Sequence, residues 1–451
     1  MAEKIKLTDI CRKLGRICLY LFLFDCAATG AGRYIKVGPL TPRILLAALI
    51  VLFASVPFFT SIEEQIRNPV NWIVLIFMCY VIFEVFRGQA FGNNQEVLAS
   101  DVKGFIYMLL IPAVPVLITE KKYLRRAADV VIAGCFAHAA FCIICNACFA
   151  DLATSLYRKI VNWASATGWG KIQYYKYNAY RIFGRSCIWL IVGCALLLGR
   201  IVKAEKARAV CGWGLLFLLN AEAIVLTYTR SVYLATAVAF VLALILCLKT
   251  APVKKVLLQT GALLVLLVVM IYGQELALKQ GVFQFAFIRC FNFDLDAHFH
   301  IPHTWARAKK VTTPITSSSD DIRVNTTDGL IEIIKEYPLI GRGLGATSPT
   351  RDGADEYFYI DMLARTGVVG LTLYLLPIVL ALIRLLKRRK ALKEYPEPGL
   401  IMISLIAFLV ATYFNPWMNS SLGIACYALA VAAVWTLPEI KEGTDEQCAE
   451  S

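Results

Sequence analysis

The chain has 451 residues, 59% of them apolar and 17% charged, with a formal net charge of +14 and a mean hydropathy of +0.64. This composition excludes a soluble globule of that length and places the chain in the polytopic membrane class. The basic residues cluster between apolar runs, so the high pI is largely a topological signal and argues against a nucleic-acid partner.

Windows of roughly 17 to 25 apolar residues, enough to cross about 30 Å of hydrocarbon, predict spans near 14–30, 40–60, 69–87, 102–119, 127–150 and 185–201. A second set is predicted near 209–228, 231–248, 255–272, 357–385, 400–415 and 420–437. The expected fold is all-α, a membrane helix bundle of about twelve transmembrane helices with a long outer loop containing short helices. Spans one to nine fill 1–272, with a basic outer loop at 151–185. The long loop covers 273–356, the last three spans 357–437, and a tail 438–451. Pro112 and Pro115 predict a kink in the fourth span, because each removes a backbone donor.

Lys4, Lys6, Arg12, Lys13 and Arg16 precede the first apolar run without a small-residue cleavage site, so that run reads as an anchor. Together with Lys121/Lys122/Arg125/Arg126, Arg200/Lys203/Lys206/Arg208, Lys249/Lys254/Lys255 and the Arg384 to Lys393 run, they fall on alternate connections and predict cytoplasmic termini. Most of the fifteen cysteines lie inside spans, where a thiol acts as a small apolar group. Cys135, Cys142, Cys145 and Cys148 with His138 have spacing that could hold a metal, but buried thiols are the ordinary reading. Cys290 is the one cysteine of the long loop.

The outer loop 151–185 breaks the charge rule. Arg158, Lys159, Lys171, Lys176, Arg181 and Arg185 face only Asp151 there, among Tyr157, Trp163, Trp169, Tyr174, Tyr175, Tyr177, Tyr180 and Phe183. Cations beside aromatic faces suit a phosphorylated glycolipid, and equally an interfacial belt with snorkelling bases. Arg230 sits in Thr227-Tyr-Thr-Arg-Ser231, the whole connection between two apolar runs. It is either a pyrophosphate clamp or an interfacial anchor.

The 273–356 segment opens into the tenth span through Glu356-Tyr-Phe-Tyr-Ile-Asp361. Leu330, Ile331, Ile333 and Ile334 predict an amphipathic helix over Asp328–Tyr337 lying on the membrane, ended by Pro338. Gly341-Arg-Gly-Leu-Gly345 follows a helix instead of a strand and reads as a turn, not a phosphate loop. Asp294, Asp296, His298, His300 and His303 could ligate a divalent ion or stand solvated, and no metal site is assigned to them. Glu356, partly desolvated at the membrane mouth, reads as a general base or as a favourable charge at a helix N-terminus. Asp361 is five residues on, about 140° around the helix, on another face.

The stretch Glu-Ile-Ile-Lys-Glu-Tyr-Pro-Leu-Ile-Gly-Arg-Gly-Leu-Gly from Glu332, followed by Tyr-Phe-Tyr-Ile-Asp-Met-Leu-Ala-Arg-Thr-Gly-Val-Val-Gly-Leu from Tyr357, resembles the O-antigen ligase/polymerase family of bacterial envelope proteins. Thr229-Arg230-Ser231 before an apolar span and Asn415-Pro416-Trp417-Met418-Asn419 near the end match that family as well. The resemblance implies a multi-pass inner-membrane glycosyltransferase working on undecaprenyl-pyrophosphate-linked glycans at the periplasmic face, with no nucleotide sugar, cofactor or obligatory metal. A flippase and a chain-length-regulating co-polymerase are the implied partners. Ligases of the family place a His-Asn pair where this chain has Glu356-Tyr357, which favours a polymerase of O-antigen, capsule or a related polysaccharide. Ligation to lipid A core and, in another class, transport of a lipid-linked oligosaccharide are the alternatives. The implied base is Glu356, with Arg230 on the leaving pyrophosphate. Arg158, Arg181, Arg185, Arg323, Arg342, Arg351 and Tyr357 are the expected substrate-binding set.

Overall fold

The computed structural model describes residues 2–30, 32, 34, 41–151, 154–291, 317–348 and 357–438. The helices are α1 Ala2–Ala28, α2 Pro42–Thr60, α3 Ile62–Arg67, α4 Pro69–Ala90, α5 Gln95–Ile106, α6 Leu110–Leu117, α7 Lys121–Asp151 and α8 Thr154–Ala166. A hairpin of β1 Gly170–Tyr174 and β2 Tyr180–Gly184 follows. Then come α9 Trp189–Lys203, α10 Ala207–Val225, α11 Arg230–Thr250, α12 Val253–Leu278, α13 Val282–Phe291, α14 Ser317–Glu336, α15 Phe358–Lys387, α16 Glu397–Thr412 and α17 Ser421–Trp435. The chain is an all-α polytopic membrane protein.

Local sequence starts several helices. Thr41 and Asn68 each cap a first turn whose next residue is proline, accepting from Ile44 and Val70 backbone N–H groups at 3.4 and 3.1 Å. Proline at that position loses no hydrogen bond the helix would have made. The kink expected from Pro112 is present: α5 ends at Ile106, a 3₁₀ turn covers Tyr107–Leu109, and α6 resumes at Leu110. The disturbance lies about four residues before the proline, where its ring crowds the carbonyl of the preceding turn.

Nine helical stretches among the described residues are long and apolar enough to cross a membrane, against the twelve spans read from sequence. The helices α16 and α17 are apolar but short, roughly 24 and 22 Å at 1.5 Å per residue, and α1 carries the basic N-terminal cluster. Shortness is tolerated because α17 is enclosed by protein, every residue from Leu422 to Val434 being buried. The helix α9 is likewise buried on all sides and packs against α7, α10, α11 and α16. Around these two, α2, α4 and α12 turn large apolar side chains outward, as lipid-facing helices do.

Two further expectations change in detail. The 151–185 connection is not open loop but holds α8 and the hairpin. The helix expected at Asp328 starts at Ser317, and protein covers part of its apolar stripe: Leu330 and Ile333 are buried against Ala364 of α15, while Ile331 is exposed.

Candidate functional site

Three connections meet at one end of the bundle: the hairpin, the Leu226–Thr229 turn between α10 and α11, and α13. The Ile182 N–H donates to the Leu226 carbonyl at 3.0 Å, and the Gly281 N–H to the Tyr177 carbonyl at 2.8 Å. A small apolar cluster of Ala179, Leu226, Tyr228, Ile271, Val282 and Phe285 lies between them, with the Tyr228 ring edge-on to Phe285 at 4.6 Å. Tyr177, Asn178, Tyr228 and Lys279 are the non-glycine residues of positive φ among the described residues, and all four belong to this junction. Each such conformation costs on the order of 1–3 kcal/mol and persists only where the surroundings enforce it.

Above this base stand Arg181, Arg230 and Arg289. Arg181 donates from Nε to the Thr227 carbonyl at 3.0 Å and from Nη2 to Thr229 Oγ1 at 3.2 Å, and lies 5.0 Å from the Phe183 ring centre. The Arg230 Nε donates to the Arg289 carbonyl at 2.6 Å, while the Arg289 Nε reaches the Tyr228 carbonyl at 3.5 Å. Among the described residues neither Arg181 nor Arg230 has a carboxylate partner. Burial, and then the guanidiniums of Arg181 and Arg230, pull the Arg289 pKa below the ordinary arginine value. Burial raises the Cys290 thiol, with Arg230 and Arg289 opposing it. Such a concentration of positive charge is an anion site in chemical terms.

The turn between α16 and α17 joins this cluster to the start of α15. Asn415 Nδ2 donates to Ser231 Oγ at 2.7 Å, beside Arg230. Trp417 packs 6.0 Å from Phe183, and the Tyr374 hydroxyl donates to the Met418 carbonyl at 2.8 Å. Tyr413 meets the ring of Tyr357, which caps α15, at 6.1 Å. The two motifs read separately from sequence, Thr229-Arg230-Ser231 and Asn415 to Asn419, therefore touch.

A second construction holds α15 itself. Gly367 interrupts that helix with φ 64° and ψ −170°, a region open in practice to glycine alone, and a Cβ there would stand 2.2 Å from the Leu339 carbonyl oxygen. The freed backbone groups are satisfied by the glycine turn. The Val368 and Val369 N–H groups donate to the Pro338 and Leu339 carbonyls at 3.0 Å, and the Arg342 and Gly343 N–H groups donate to the Ala364 and Arg365 carbonyls at 2.9 Å. The Leu344 N–H reaches the Glu84 carbonyl and the Gly345 N–H reaches Asp101 Oδ2. These donors point into protein, so the turn is no phosphate cradle. Asp101 also pairs with Arg365 at 2.8 Å, with side chains 1% and 4% exposed.

The expected substrate residues are thus divided. Arg181 and Arg230 meet in one site, which Arg289 completes. Tyr357 lies across the 413–420 turn from them. Arg342 is elsewhere, its guanidinium 5.9 Å from the Phe91 ring, against which Arg87 also stands. Arg158 is exposed on α8, and Arg185 is exposed at the end of the hairpin. Arg323 lies on α14, its side chain outside the described residues, and Glu356, Arg351, His298, His300 and His303 lie wholly outside them. The sequence alone singles out neither Arg289 nor Asp101, because each acts through a contact distant in the chain. In the fifth span Cys135 donates to the Trp189 carbonyl, and His138 stacks on Trp169 at 5.2 Å.

An all-helical membrane bundle whose cationic and aromatic groups gather at one mouth is the class of protein that fold and site define. Residues 215–375, from within α10 to within α15 and including Arg230, Arg289 and Gly367, match a family model described as O-antigen ligase. No curated protein matches the chain.

Proposed function

We propose that the chain polymerises oligosaccharide repeat units carried on undecaprenyl pyrophosphate, at the periplasmic face of the bacterial inner membrane. The observation that carries this reading is the 413–420 turn, which brings the start of α11 with Arg230 beside the start of α15. Glu356 immediately precedes Tyr357 in the chain.

In this reading Arg181, Arg230 and Arg289 hold the pyrophosphate of the donor chain. Glu356 takes the proton from an acceptor sugar hydroxyl. The hydroxyl oxygen forms a bond to the anomeric carbon of the donor while the bond from that carbon to the pyrophosphate oxygen breaks. The leaving lipid pyrophosphate keeps the electron pair, its charge stabilised by the arginines. Tyr357 and the exposed Tyr413 ring give the sugars an aromatic surface.

The test is purified protein with a single lipid-pyrophosphate-linked repeat unit and no nucleotide, product length being followed on a gel. A ladder is expected, reduced on the order of 10²- to 10³-fold in rate by Arg230→Ala in protein that still inserts and folds. Product formed only when lipid A core is added would make the enzyme a ligase, the activity in the matched family's description. No product in either case would overturn the reading.

A further inference from the structure

A cavity of about 250 Å³ lies at the end of the bundle away from the arginine cluster, where α1, the α2–α4 connections, the end of α6 and the end of α17 meet. Its polar wall is formed by Arg12, Ser61, Glu64, Gln65 and Asn68, and Trp435 closes one side. The wall is already partly organised. Gln65 Nε2 donates to Ser61 Oγ at 3.2 Å, Asn71 Nδ2 donates to Gln65 Oε1 at 3.1 Å, and Asn68 Oδ1 caps α4. The two charged groups are not used up by it. Among the described residues Arg12 Nε is buried with no hydrogen-bond partner, and Arg12 and Glu64 line the same space without pairing with each other or with any other of them.

A buried guanidinium N–H without an acceptor is costly, and a cation and an anion on one wall ask for a ligand carrying both signs. The surroundings say where such a ligand comes from. Phe59 of α2, Ile62 and Ile66 of α3 and Trp72 of α4, on the helices around this cavity, are exposed apolar side chains and would contact lipid. A tryptophan beside basic residues at a helix end is the usual furniture of a membrane interface.

We infer that this cavity seats the headgroup of a zwitterionic phospholipid, its phosphate accepting from Arg12 and its ammonium donating to Glu64. A phosphoethanolamine headgroup has the required pair of charges and N–H donors, whereas an anionic glycerol headgroup would leave Glu64 facing negative charge. The site is independent of the glycosyl-transfer reading and lies at the other end of the molecule.

The test uses full-length protein delipidated in detergent, with phosphatidylethanolamine and phosphatidylglycerol of identical acyl chains titrated separately and bound lipid counted by native mass spectrometry. Phosphatidylethanolamine is expected to bind more tightly. Glu64→Gln should weaken it about tenfold, the loss of one charge-assisted hydrogen bond, while leaving phosphatidylglycerol unchanged or tighter. Glu64→Lys should reverse the order of the two lipids, and Arg12→Gln should weaken both. Preference for phosphatidylglycerol in the parent protein, or lipid binding indifferent to all three substitutions, overturns the inference. So does soluble phosphoethanolamine competing as well as the lipid, since the cavity would then serve a free metabolite.

Discussion

Removing Asp101 should be among the most damaging single changes outside the reaction centre, and the structure fixes how large the effect must be. Its carboxylate is 1% exposed, and among its contacts are Oδ1 with Arg365 Nη1 at 2.8 Å and Oδ2 with the Gly345 N–H at 3.0 Å. Asp101→Ala leaves the Arg365 guanidinium, 4% exposed, without this counter-ion, a loss of about 3–5 kcal/mol for a buried pair. The Gly345 N–H loses its acceptor in the same step, which carries its own desolvation cost. Asp101→Asn is expected to fall between Ala and the parent, since one oxygen remains but an amide N–H faces a donor. The double variant Asp101→Leu with Arg365→Met should recover much of the loss, because apolar side chains of similar volume remove both stranded charges. The assay is thermal unfolding in one detergent, followed by fluorescence-detected size exclusion, for the four proteins side by side. An Asp101→Ala protein as stable as the parent, or a double variant no better than the worse single one, would refute the argument.

Gly367→Ala should fail to accumulate as folded protein, because a methyl group cannot stand 2.2 Å from the Leu339 carbonyl oxygen without pulling the glycine turn from α15; normal yield and elution volume would contradict this. Cys290 reports on the arginine cluster by pH. Its raised pKa means less thiolate at a given pH than an ordinary thiol has, so iodoacetamide labelling, located by mass spectrometry, should climb at higher pH than for an exposed cysteine. Arg230→Gln removes one of the opposing charges and should move that profile higher still, and added lipid pyrophosphate should do the same. Asn415→Ala is expected to lower transfer rate by about tenfold with a modest fall in unfolding temperature, since the buried Ser231 hydroxyl loses its half-buried partner but no charge is stranded.

Much of this architecture was legible in the sequence, since apolar length and alternating positive charge are one-dimensional signals. Arg181 and Arg230 were legible for a related reason: both stand where the charge pattern expects no cation. Asp101 and Arg365 are 264 residues apart and each looks ordinary in its own segment. The helix at Ser317–Glu336 shows the opposite problem. Its apolar stripe was visible, but an amphipathic pattern does not say whether lipid or protein covers it, and here α15 covers Leu330 and Ile333. The motif glycine at Gly367 could be matched to a family, yet its reason is a backbone crossing that only the folded chain contains.

The arginines show how one residue type serves two ends according to its partner. Arg365 is buried against a carboxylate that neutralises it, and the pair fastens the glycine turn to α15. Arg181 and Arg230 are held instead by backbone carbonyls and a threonine hydroxyl. A carbonyl orients a guanidinium without cancelling its charge, so these two side chains are fixed in place while their positive potential stays available to an anion. Replacing the hydroxyl partner by an introduced carboxylate should therefore separate position from charge. Thr229→Asp, beside both arginines, is expected to keep the turn ordered and the protein folded while weakening pyrophosphate binding at least about tenfold at low salt, less at high salt. Unchanged affinity in that variant would mean that the cluster orders the turn and does no more.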